Sequence, residues 1–284
     1  MSQAKVKMPE SADDLLDSSA VMLPSKPRLL MEIDNLMRNP DFEVGFLAES
    51  ISRDPGVLAA LFKLCRSPAY SRGRPPANAE QVLMLVGLTQ TVNLVRGISI
   101  RQVAGGPGPQ MERFWARCEE IASIASQIAS ERVAVCNVFP DQAYLAAMFH
   151  DCGVPLLTAR YPDYWKKLSL DDESAWVDVS LENITYRLDH ATVGFWVARN
   201  WGLPDLTVQA IRHHHDMPDD DTFGLRSTIG ILALATHIYL LNKGLADPAW
   251  SVRAPEILEE LGIHASALGE YIDEINERHV SLTM

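Results

Sequence analysis

Beyond residue 21 the apolar positions recur every three or four residues, and no stretch alternates strictly between apolar and polar. Val57, Leu58, Leu61, Phe62 and Cys65 make one such stripe. Asp54-Pro55 stands before it, an acceptor for orphan amides followed by a residue suited to a first helical turn. The Pro- and Gly-rich stretch at 67–77 ends this helix. Asn78 with Gln81 reads as a capping box that opens a helix through Val82, Leu85 and Val86. Gly87 closes it, and Thr89 or Thr91 starts the next, which runs toward Ile100.

The GGPGP stretch at 105–109 is the strongest break in the chain and predicts a subdomain boundary. Beyond it, 114–129 (FWARCEEIASIASQIA) reads as helix. Asp141 is expected to cap a helix ending in His150-Asp151, with Gly153 past its end and Pro155 beyond. Asp189 is placed to cap a helix over 190–200, stopped by Gly202 and Pro204. Asp205 is expected to cap another that runs through Leu206, Val208 and Ile211 into HHHD. A long apolar helix over 228–241 and a final amphipathic one over 255–277 complete the series. The pattern predicts an all-α fold: a polar leader over 1–20, an amino-terminal helical lobe over 21–108 and a second lobe over 109–284.

Composition narrows the function classes. The chain has 284 residues, 47% hydrophobic and 22% charged, which is enough to bury a substantial core. Its net charge of −12 repels phosphate backbones, so neither nucleic acid nor an anionic membrane is expected as partner. The segment 63–74 (KLCRSPAYSRGR) is a local basic exception, read as a solvated loop. Cys65, Cys118, Cys136 and Cys152 lie far apart with no CxxC pair, which fits a reducing compartment. No apolar segment follows a basic start, and the apolar run at 229–241 is too short to span a bilayer. A cytoplasmic protein is expected. Trp165, Trp176 and Trp250 are candidate contact aromatics, and 171–178 (DDESAWVD) a candidate acidic loop.

The chemistry sits in the second half. His150-Asp151, His190 and His213-His214-His215-Asp216 form three clusters, and His214 and His215 follow Ile211 by three and four residues, on or beside the core-facing stripe. Ala146 and Ala147 leave room on the face of His150. Imidazoles and a carboxylate gathered from separate helices can bind a divalent transition metal, which acidifies bound water as phosphoester hydrolysis requires. The same residues can instead form a buried polar network, or charges that favour a helix carboxyl terminus.

In their order, FWARCEEIA, YLAAMFHDCGVPLL and LDHATVGFWVARNWGLPDLTVQAIRHHHD resemble the HDOD domain, a bacterial signalling relative of the HD-type metal-dependent phosphohydrolases. SISRDPGVLAALFKLCRSPAY and ANAEQVLMLVGLTQTVNLV resemble its amino-terminal part, so the likeness covers roughly residues 22–280. It implies two packed helical lobes and a role in signal transduction. His150 and Asp151 match the HD pair; His190, His214 and His215 match histidines of related cyclic-dinucleotide phosphodiesterases. These five are the expected metal set. Three groups depart: Arg117 stands where the likeness implies a ligand histidine, Val154 where it implies a lysine, and Thr236 near the expected closing aspartate, with His237 beside it as a substitute. Arg66 stands before the 67–70 turn where the family commonly has Asn.

A fixed guanidinium and a lost carboxylate both disfavour a two-metal centre. The expectation is therefore a non-catalytic module that binds a signalling protein or small ligand, with no cofactor. Its alternatives are a phosphohydrolase holding iron, manganese or zinc, and an anion or nucleotide sensor in which Arg117 approaches the histidines.

Overall fold

The computed structural model describes residues 24–66, 70, 74–104, 108–170, 176–219 and 224–283. The leader at 1–20, most of the acidic loop and part of the basic segment and of the 105–109 break lie outside them. Every regular element among the described residues is helical.

Among the described residues, five helices form the amino-terminal lobe: α1 (Arg28–Arg38), α2 (Val44–Ser52), α3 (Pro55–Leu64), α4 (Ala79–Val86) and α5 (Leu88–Ala104). Local capping chemistry sets two of the starts. Asp54 accepts from the amide of Val57 at 3.0 Å, and Asn78 from that of Gln81 at 2.9 Å. Gly87 takes φ +91°, a left-handed turn that lets α5 begin at once, at Leu88 rather than at a threonine. Asp34 holds α1 to α5 through Arg96 at 3.0 Å and also pairs with Lys26, just before α1. Burial raises the Asp34 pKa, but these two cations outweigh it and hold the carboxyl below its ordinary range.

The second lobe is built on α6 (Pro109–Cys136), a 28-residue helix whose buried positions run from Met111 to Ala129 and resume at Cys136. Against it pack α7 (Pro140–Phe149) and α13 (Leu225–Asn242). Two short helices, α8 (Gly153–Arg160) and α9 (Tyr164–Lys167), follow α7. Then come α10 (Val179–Tyr186), α11 (His190–Asn200) and α12 (Asp205–His213). Helix α11 packs on both α8 and α12, and α12 returns to α7. Helix α5 crosses from the first lobe to touch α7, α8 and α11, so both lobes share one buried core.

Two expected caps are displaced by one or two residues. Helix α7 starts at Pro140, and the amide of Phe139 donates to the Gln142 side chain at 2.9 Å, leaving Asp141 inside the first turn. Asp205 is likewise the first residue of α12, after Pro204. In both positions the carboxylate still faces the positive end of the helix dipole. Gly153 and Pro155 open α8 rather than closing α7. The single carboxyl-terminal helix expected over 255–277 is two, α14 (Trp250–Glu260) and α15 (Leu268–Thr283). Gly262 at φ +62° and a short 3-10 turn separate them. The three candidate tryptophans are half-buried against the core, and all four cysteines are buried thiols.

Asp189 caps α11 as its position predicts, accepting from the Thr192 amide at 2.7 Å and from Asn183 at 3.1 Å. Asp189→Ala should cost about 1–2 kcal/mol in chemical denaturation. A loss under about 0.3 kcal/mol would show that the cap does not hold this helix start.

Candidate metal centre

Helix ends bring the histidines together. His150 and His214 terminate α7 and α12, Asp151 and His215 lie one residue further on, and His190 opens α11. Asp151 is 1% exposed and His190 wholly buried. The carboxylate of Asp151 lies 3.1 Å from His150 Nε2, 3.3 Å from His190 Nε2 and 3.2 Å from His214 Nε2. His190 Nε2 is 3.2 Å from His214 Nε2 and 2.8 Å from His215 Nε2. One ligand atom from each of Asp151, His190, His214 and His215 falls within 4.8 Å of the others.

The opposite edges of three rings decide what those Nε2 atoms carry. His150 Nδ1 faces the Ala147 carbonyl oxygen at 2.7 Å, and His214 Nδ1 that of Ile211 at 2.9 Å. A carbonyl only accepts, so both Nδ1 atoms bear the proton. His190 Nδ1 donates to Glu182 at 2.6 Å. In each neutral ring Nε2 is then a bare lone pair directed at a carboxylate and at other lone pairs. Neither oxygen of Asp151 receives a well-aligned hydrogen bond, although three ring nitrogens stand close.

Such a group of acceptors needs protons or a cation. Burial pulls His214 down to about 4, against the raising effect of Asp151, and pulls His215 down as well. His190 goes the other way: burial lowers it, but Asp151 and Glu182 overcome this and lift it to about 10. Burial also raises Asp151, yet the imidazoles around it hold its carboxyl well below the usual range. A dication would satisfy all four groups at once. Three imidazoles and one carboxylate, with the His190 and His214 rings each oriented by an acceptor behind it, fit a transition metal. The carboxyl ends of α7 and α12 add negative potential.

Glu182 escaped the sequence reading. It is fully buried on α10, accepts from the hydroxyl of Tyr164, and bonds the His190 amide at 3.2 Å as well as its ring. Its neighbours Leu181 and Ile184 are exposed, so no apolar stripe marked this face. The only signal was an acidic residue eight positions before His190.

Two residues assigned to the pocket by likeness stand elsewhere. The Arg117 guanidinium packs over the rings of Trp176 at 4.2 Å and Phe114 at 5.7 Å, in a separate cavity. His237 stacks on Trp250 at 4.1 Å and places Nδ1 3.0 Å from Asp247. His150 touches Asp151 but is not among the four atoms that converge most tightly. A cavity of about 640 Å³ opens beside His150, His214 and His215, walled by Trp176, Asp216, Asp247 and Arg253.

Residues 23–217 match the family model of the HDOD domain. The chain belongs to the HDOD domain family. An uncharacterised protein of Treponema pallidum (strain Nichols) is 24% identical over 213 residues, 75% of this HDOD chain. The chain spans only 40% of the length of that relative. A candidate phosphohydrolase of Shewanella amazonensis SB2B shares the fold, with a TM-score of 0.63, 19% identity and 95% of each chain covered. A candidate signal transduction protein of Marinobacter aquaeolei VT8 does so with a TM-score of 0.64, 22% identity, and 98% of this HDOD chain and 61% of that one covered. At such identities the likeness shows the fold alone. No single helix among the described residues is long and apolar enough to cross a membrane.

Proposed function

We propose that this HDOD chain is a regulatory module that holds one divalent iron, manganese or zinc ion and signals by association, without hydrolysing phosphodiesters. The observation that carries this is the convergence of Asp151, His190, His214 and His215, with the Nε2 edges of three imidazoles turned inward around one carboxylate. The geometry thus favours a bound metal over the cofactor-free reading that the sequence suggests. When bound, the metal would supply a Lewis acid and a structural tie between α7, α11 and α12.

The charge count argues for one ion and against diester cleavage. Asp151 is the one carboxylate in the converging group, because Glu182 is engaged by His190 and Tyr164. A two-metal clamp needs more anionic ligands than this. Arg117, which replaces an implied ligand, stands in another cavity, and Thr236 offers a hydroxyl in place of a carboxylate. Among the described residues the adjoining cavity carries Asp178, Asp216 and Asp247 against Arg253 alone, a poor receiver for a phosphodiester. Family membership and this charge pattern support signalling through a partner rather than through cleavage.

The opening of the cavity onto His214 and His215 favours a second reading, a one-metal phosphohydrolase. Elemental analysis of unchelated protein, run beside turnover of bis(p-nitrophenyl) phosphate, separates the two. The expected result is near one metal per chain, lost in Asp151→Asn, with no turnover above that variant. Absence of metal from the unaltered chain would overturn the proposal. Turnover that disappears with Asp151→Asn would establish the second reading instead.

A further inference from the structure

Another cavity lies where the two lobes meet. It encloses about 350 Å³ between α3 and α5 of the first lobe and α6 and α7 of the second. Small-molecule sites commonly enclose about 300–1,000 Å³, so it has room for one small ligand. Most of its wall is apolar: Leu94 and Ile98 come from α5, Met111 from α6, and Met148 and Phe149 from α7. Phe149 is seated on α5 at Gly97, where a Cβ would fall 2.1 Å from its ring. The next residue is His150, so a ligand here touches both lobes and the helix end that leads into the histidine cluster.

Two polar groups in this wall lack a partner. The indole N–H of Trp115 is buried and has no hydrogen-bond partner. The Arg101 guanidinium lies 5.5 Å from the centre of that indole ring, and it makes no hydrogen bond or ion pair among the described residues. The other charges described in the wall are accounted for. Lys63 pairs with Glu119 at 2.7 Å. Glu112 is exposed in the first turn of α6, beside the positive end of that helix dipole. The segments outside the described residues that adjoin this wall in sequence, 67–69, 71–73 and 105–107, contain no carboxylate. A half-buried guanidinium beside an apolar cavity calls for an anion whose remaining surface is apolar.

We infer that the interlobe cavity binds an aliphatic monocarboxylate, with its carboxylate on Arg101 and its chain along Leu94, Ile98, Met148 and Phe149. The carboxylate also brings an acceptor to the side of the cavity where the Trp115 indole stands. Met111 and Met148 are flexible thioethers that adapt to the shape of such a chain. None of the proposed metal ligands lines this cavity, so the inference goes beyond the metal reading and does not depend on it.

Calorimetric titration of the full chain with octanoate, octan-1-ol and butyrate tests this. Octanoate is expected to saturate one site per chain below millimolar concentration. Octan-1-ol has the chain without the charge and should bind weaker by roughly tenfold or more. Butyrate keeps the charge but lacks four methylenes, and should bind weaker by roughly 100-fold or more. Arg101→Gln should bring octanoate down to the affinity of octan-1-ol and leave octan-1-ol itself unchanged. Ala60→Phe, at a partly exposed position of the wall, should weaken both. No saturation at millimolar octanoate would overturn the inference, as would octanoate affinity unchanged in Arg101→Gln. So would several sites per chain that Ala60→Phe leaves untouched, the mark of detergent-like adsorption. None of these readouts involves the metal, so the two proposals fail separately.

Discussion

Gly153→Ala is expected to lower folding stability by about 3 kcal/mol or more, the largest effect of any glycine-to-alanine change among the described residues. A Cβ at this position would fall 2.0 Å from the His190 carbonyl oxygen and 2.8 Å from the Gly194 amide nitrogen. Both atoms belong to the backbone of α11, so no rotamer change relieves the overlap and the helix itself must move. His190 opens that helix, and its displacement would also loosen the metal cluster. Gly194 faces the same contact from the other side, where its own Cβ would lie 3.2 Å from the Gly153 nitrogen. The pair allows α8 and α11 to approach at backbone distance. Gly45→Ala is the control: it lies exposed in α2, nothing stands within 4 Å, and it should add about 0.5–1 kcal/mol through helix propensity. Urea denaturation of both variants measures the contrast. Equal stabilities would show that α8 and α11 do not pack this closely.

Glu182→Gln should weaken metal retention by roughly 10–100-fold while leaving every proposed ligand in place. The carboxylate of Glu182 receives the His190 ring proton, the His190 amide and the Tyr164 hydroxyl. Glutamine has the same shape, but its amide nitrogen must present hydrogens to one set of these donors. One buried donor is then left unmatched, and His190 loses the anion that makes its Nε2 a stronger ligand. Chelator competition on the purified variant measures the change directly. Retention equal to that of the unaltered chain would exclude Glu182 as a positioning residue and leave it a structural tie between α9, α10 and α11. Loss of metal together with a collapsed denaturation midpoint would call for Tyr164→Phe, which removes a donor to Glu182 and leaves the His190 contact intact.

Much of this architecture is legible in the chain because it depends on neighbours in sequence. The 3.6-residue period of the apolar positions, the side-chain caps at Asp54, Asn78 and Asp189, and the left-handed glycine at Gly87 each act within one turn. The rings of His150 and His214 are held just as locally, each by a backbone carbonyl of the preceding turn. Errors arose where two local solutions compete. Asp141 and Asp205 are good caps, but Pro140 and Pro204 shift the helix starts and leave the carboxylates inside the first turn or at its first residue.

What the tertiary structure decided is which side chains meet. Glu182 had no periodic mark, and only the packing of α10 beneath α11 makes it the partner of His190. Arg117 follows Trp115 by two residues, yet its long side chain lies over Trp176, which sequence could not pair with it. His237 is taken by Asp247 and Trp250. Helix periods and caps are local energies, read from a few adjacent residues. A ligand set is a distance between helices, fixed here by the close approach of Gly153 to the backbone of α11, and no local pattern encodes it.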